Sequence, residues 1–129
     1  MKKFLLMLML MVTCSFVIAQ DVAWFRTTSL AIKVQGHDWS DWKTAKMNVK
    51  FDFDNDKITI FSNEIQIYKI LKEVEPPYDP HGKQVAFSVI DQDLDYGQIR
   101  LRVENNGNSQ IYVDFSDISW VYNVYRIIE

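Results

Sequence analysis

The sequence predicts an all-β fold, an antiparallel meander of about seven or eight short strands preceded by a signal-peptide helix. Three observations predict it. Apolar and polar residues alternate in one stretch after another, as in Val49-Lys50-Phe51-Asp52-Phe53, and a period of two belongs to a half-buried strand. Clusters of Asn, Asp, Gly and Pro break the alternation at intervals of roughly 10 residues, the spacing of strands joined by tight turns. After Ala19 no segment keeps a helical period long enough to form a helix.

The first 19 residues stand apart. Lys2 and Lys3 precede the unbroken apolar run Phe4 to Val12, and Val17-Ile18-Ala19 ends in a form suited to signal peptidase. The run is shorter than the about 20 residues of a membrane span. The expected division is therefore a signal peptide over 1–19 and a single β domain over 20–129, periplasmic or secreted. Cys14, the only cysteine, lies inside the leader. A lipid anchor there is disfavoured, because Thr13 is bulkier than the Gly, Ala or Ser usual before an acylated cysteine. Without the leader the chain has no cysteine, which excludes disulfides, thiol catalysis and cysteine-based zinc sites.

Removing residues 1–19, with their two lysines, leaves 110 residues and takes the formal net charge from −3 to −5. An acidic chain without a basic cluster releases no counterions from phosphates, so nucleic acid is not an expected partner. Sixteen of the 18 aromatic residues remain, and with no bridges a core of Trp, Tyr and Phe must supply the stability.

The strands follow in order. Leu30, Ile32 and Val34 share one face of the first, which begins near Trp24 and ends at Gly36-His37-Asp38. Hairpin arms near 46–53 and 57–62 are joined by a turn at Asp54-Asn55-Asp56, residues that tolerate positive φ. Ile65 and Ile67 oppose Tyr68 and Ile70, either on a fresh strand or beyond a bulge. The run 73–82, with all three prolines, is a loop, since proline cannot donate to a ladder. Val85, Phe87 and Val89 begin the next strand, and 91–97 form an acidic turn. Ile99, Leu101 and Val103 face away from Arg100 and Arg102. Asn106-Gly107 signals a primed turn into Ile111, Val113 and Phe115. The last strand, from Trp120, is apolar on both faces. Joined by short turns, these strands fit an up-and-down barrel or a strongly curved closed sheet; the alternative is a two-sheet sandwich.

No motif names a chemistry. Asp52, Asp54 and Asp56 resemble the start of a calcium loop, but Lys57 and Asn63 occupy the places of its Gly and bidentate acid. Asp91, Asp93 and Asp95 fail likewise at Tyr96 and Arg102. His37 and His81 lack a second His at ligand spacing, so no metal site, catalytic group or cofactor is assigned. Trp39, Trp42, Tyr78, His81 and Tyr96, all in loops, are candidates for a ligand or partner surface. The competing reading for the two tryptophans is a cap on the core.

Trp24 and Arg126 lie near the two ends of the meander, where closure would let a guanidinium stack on the indole. Lipocalin-like barrels carry a similar closure, although their Gly-x-Trp motif is replaced here by Val22-Ala23-Trp24. Trp39-Ser40-Asp41-Trp42, Asp56-Lys57-Ile58-Thr59-Ile60 and the run 110–125 (QIYVDFSDISWVYNVY) resemble a family of short exported Gram-negative bacterial proteins. That resemblance implies export and one β domain; it brings no activity or site residues. The expected function is a non-catalytic exported binding protein, holding a small apolar molecule in a barrel or a protein or glycan partner on its loops. The alternative is an interaction module with a filled core, such as an inhibitor or surface-complex subunit. A hydrolase ranks behind both.

Overall fold

Alternation assigns residues to two faces, and strand pairing decides which face is dry. The computed structural model describes residues 22–127, so the leader and Cys14 lie outside the described residues. Nine strands form: β1 Val22–Val34, β2 Lys43–Thr44, β3 Asn48–Asp52, β4 Lys57–Ile60, β5 Gln66–Val74, β6 Gly82–Ile90, β7 Tyr96–Glu104, β8 Ser109–Asp114 and β9 Ile118–Ile127. Every pairing is antiparallel, in the order β1-β3-β4-β5-β6-β7-β8-β9. β9 returns to β1 over ten residue pairs, from Trp24↔Ile127 to Val34↔Ile118, and closes an eight-stranded barrel. The one described strand outside the barrel, β2, pairs with Ser29 and Leu30 and extends the edge of β1 that β3 leaves at Arg26. The barrel, rather than the sandwich, is the fold. No helix among the described residues is long and apolar enough to cross a membrane.

The inward face is the predicted one. Val49, Phe51, Phe53, Val85, Phe87, Val89, Ile99, Leu101, Ile111 and Val113 are fully buried in one cluster. Lys50, Arg100 and Arg102 lie on the outer wall. Asp52, also outward, is nevertheless covered; its carboxylate accepts from Asn55 N (3.2 Å) and Asn55 Nδ2 (3.0 Å) across the turn. Four rings fill the centre: Phe51 lies 5.5 Å from Phe25, 6.0 Å from Phe53 and 6.3 Å from Phe87 between centroids. Large apolar side chains meeting at van der Waals range make this lumen a packed core.

Two bulges shift the phase, between Thr27 and Ser29 in β1 and between Ile70 and Lys72 in β5. Beyond the first, Leu30 still packs on the core, but Ile32 and Val34 run past its end and are exposed. Ala31, on the opposite face from Leu30, is buried beneath the β1–β2 loop. β5 is a fresh strand with Tyr68 and Ile70 inward. The proline loop is shorter than expected, because Glu73 and Val74 still pair with Phe87 and Ala86.

Turn chemistry follows residue type. Asp56 takes φ 53° in the β3–β4 turn. The Asn-Gly turn is not the two-residue primed form: among its residues only Gly107 has positive φ (96°), and Gly107 N donates to Glu104 O at 2.9 Å. That is a three-residue loop closing on a left-handed glycine. Connections 35–42, 61–65, 91–95 and 115–117 thus share one end of the barrel, the mouth. Connections 53–56, 75–81 and 105–108 share the other.

Candidate functional site

At the mouth the strands end unevenly. β4 stops at Ile60, and the connections 61–65 and 91–95 stand up around a cleft of about 770 Å³. Tyr68 of β5 and Trp120 of β9 reach it from below; Met47, Phe61, Ile65 and Ile67 supply apolar wall, and Lys46, Glu64, Asp91 and Asp93 charge its rim. Phe115 ties the floor together, stacked on Trp120 at 6.3 Å (12°) and lying 6.1 Å from Tyr68. Gly97 permits this arrangement: a Cβ there would stand 2.8 Å from the Phe115 ring and 2.7 Å from Asp114 O.

A chain of hydrogen bonds fixes the rim. Tyr68 Oη donates to Gln66 Oε1 (2.6 Å), Gln66 Nε2 to Ser62 Oγ (3.1 Å), and Ser62 Oγ to Glu64 O (2.6 Å). Opposite, Asp91 Oδ1 accepts from Asp93 N and Asp95 N, both at 2.9 Å, which folds 91–95 around its own carboxylate with Leu94 at φ 68°. Burial, with Tyr122 and Asp91 nearby, pushes the Tyr68 phenol well above its usual range, and burial raises Tyr122 too. Both phenols are therefore neutral at physiological pH and act through hydrogen bonds. Trp120 Nε1, beside the Tyr122 hydroxyl, is buried without a well-formed hydrogen bond. The floor combines aromatic faces with hydrogen-bond donors, an arrangement that holds a molecule by its apolar body.

The predicted site residues are spread over three places. Trp39 and Trp42 lie on the outer wall against β1, β8 and β9, around a notch with Tyr112. Tyr96, 70% exposed, opens β7 outside the mouth cleft. Tyr78 (89% exposed) and His81 lie at the far end, in the β5–β6 loop. That loop is anchored through Asp79, which accepts from Arg102 Nε (2.6 Å) and Nη2 (3.3 Å); Arg102 also donates to Glu104 (2.6 Å) and Gln110 (3.0 Å). Hydrogen bonds from the Arg102 guanidinium hold the Asp79 carboxyl down at about 2. His37 is at the mouth and His81 at the opposite end, so the fold does not bring the two histidines together. No group of three His, Cys, Asp or Glu among the described residues is placed to hold a metal ion.

Trp24 and Arg126 occupy paired strands but opposite faces. Trp24 is outward, stacked on Phe61 (5.9 Å, 21°) with Lys50 Nζ 5.4 Å from its ring. Arg126 is inward opposite Phe25, its guanidinium 5.9 Å from that ring, and burial lowers its pKa. The strands close the barrel at these positions, while the expected guanidinium-on-indole stack is replaced by Lys50 on Trp24 and Arg126 on Phe25.

Sequence reasoning missed Gln66, Tyr68, Trp120 and Tyr122. The available signal was phase: Tyr68 shares its face with Ile70 and Tyr122 shares its face with Val124, both inward, and a phenol aimed at a core near a strand end needs a polar partner. Comparison with family models, with curated proteins and with solved structures finds no match for the chain.

Proposed function

We propose that the protein is a non-catalytic exported binding protein that takes a small, largely apolar molecule at the mouth of its barrel. The observation that carries this reading is the open cleft above Tyr68 and Trp120, set over an interior already filled by Phe25, Phe51, Phe53 and Phe87. The packed centre favours a ligand at the mouth over one in the lumen. The leader-like residues 1–19 support a periplasmic or secreted location.

Titration with an environment-sensitive apolar dye tests the reading. Dye emission rises on adding the protein, and Ile65→Asp, at an exposed rim position, weakens the response without lowering the melting temperature. A flat titration, or a response indifferent to Ile65→Asp, removes the mouth as the binding site. A second reading, an interaction module, is favoured by the half-exposed indoles of Trp39 and Trp42 on a barrel with a filled core. It predicts that Trp39→Ala and Trp42→Ala abolish partner capture while leaving the melting temperature unchanged.

A further inference from the structure

We propose that the notch between Trp39 and Trp42 on the outer wall is a second binding site, independent of the mouth, for a small free quaternary ammonium compound. The notch is built. Its floor is Ala31 and Val121, paired across β1 and β9 and buried despite lying on the outside of the barrel. The β1–β2 loop folds back over them, clamped by Ser40, whose N donates to Ile32 O (2.8 Å) while its Oγ accepts from Ile32 N (2.9 Å). Tyr112 forms the end wall. One face of that ring carries the Arg100 guanidinium at 4.3 Å, and Arg100 is held by Asp114 (2.9 Å) and Gln84 (3.1 Å). Trp39 meets Tyr112 edge-on at 6.4 Å. The notch, open to solvent on one side, has a volume of about 270 Å³, enough for a trimethylammonium head and a short chain.

The lining selects the chemistry. Ala31, Trp39, Ser40, Trp42, Tyr112 and Val121 contain three aromatic rings and no charged side chain. Aromatic faces carry negative potential and attract a cation. Charge in the loop agrees: Asp38 and Asp41 each precede a tryptophan, are exposed, and form no ion pair among the described residues. The only hydroxyl in the notch besides that of Tyr112 is Ser40 Oγ, already bonded to Ile32 N and Asp41 O. A primary ammonium or a sugar would lose its water-facing hydrogen bonds there without replacement, whereas a methylated cation has none to lose. The acidic loop and the net negative charge oppose an anionic membrane surface; the occupant proposed is the free compound, and zwitterionic vesicles are the competing source in the test.

Calorimetric titration of the full chain with choline tests this, with 3,3-dimethyl-1-butanol as its uncharged carbon isostere. Choline and tetramethylammonium bind saturably, and the isostere binds about tenfold more weakly or not at all. Trp39→Ala and Trp42→Ala each weaken choline about fivefold or more. Should either variant melt early, Trp39→Leu, which keeps bulk without an aromatic face, takes its place. Asp41→Asn weakens binding about twofold and flattens its salt dependence. Ile65→Asp leaves choline binding intact, which separates failure of this site from failure of the mouth. Equal affinity for choline and its isostere, undiminished binding in the tryptophan variants, or binding of N-acetylglucosamine in place of choline overturns the assignment. So does tighter capture by phosphatidylcholine vesicles than by free choline.

Discussion

Truncating Phe51 to Ala removes the ring at the centre of the aromatic cluster. Phe51 is fully buried and touches Phe25, Phe53 and Phe87, so three ring contacts vanish and the packed barrel wall cannot collapse into the space. Deletions of this kind cost about 3–5 kcal/mol, transfer and cavity terms together. For a domain of this size that lowers the melting temperature by about 15–30 °C. The neighbouring Lys50 points outward beside Trp24, and Lys50→Ala costs under about 1 kcal/mol. Urea unfolding followed by circular dichroism measures both. A further sign distinguishes a cavity from general damage: an apolar void binds benzene, so benzene restores part of the stability of Phe51→Ala and none to Lys50→Ala. Equal losses for the two variants would refute the inward phase of β3, and with it the filled interior that moves the ligand to the mouth.

Thr27 is fully buried; its hydroxyl donates to Ala45 O (2.5 Å) and accepts from Met47 N (3.0 Å), so Thr27→Val costs about 1–3 kcal/mol by denaturant melts and loosens the loop carrying Trp42. No loss would mean those backbone groups find other partners. Asp79, held at about 2, stabilises the fold above its unfolded pKa near 4, and that contribution disappears as pH falls from about 4 to about 2. Asp79→Asn should flatten acid unfolding in that window; an unchanged acid midpoint would count against the Arg102 anchor. Gly97→Ala forces the Phe115 ring aside, lowers stability by about 1–3 kcal/mol and changes Trp120 emission, because Phe115 stacks on that indole. Wild-type fluorescence in that variant would contradict the described floor.

Counting by twos found the barrel because strands buried on one side must alternate, and the alternation of Val49, Phe51 and Phe53 or of Ile99 and Leu101 leaves one arrangement that keeps them dry. The bulges at Thr28 and Leu71 were illegible because polar Thr27-Thr28-Ser29 and the mixed run Leu71-Lys72-Glu73 blur the phase flip that an extra residue causes, so the register is set only by pairing with β9 and β6. The same limit hid Ala31: its burial comes from the loop folding back through Ser40, a contact between residues whose spacing has no signature. Tyr68 and Trp120 are 52 residues apart, and only closure brings them to one cleft. Trp39 and Trp42 were visible because a tryptophan in a loop is conspicuous, yet their wall, Tyr112 and Val121, depends on the join between first and last strands.

That join has a bearing on how the protein comes to be folded. Its ten residue pairs link positions close to a hundred apart along the chain. Such remote pairing makes assembly slow, and until β9 arrives the nascent sheet carries two unsatisfied borders able to recruit other chains. Newly made molecules, rather than mature ones, are thus the vulnerable population, and anything that delays β9 prolongs their exposure to aggregation.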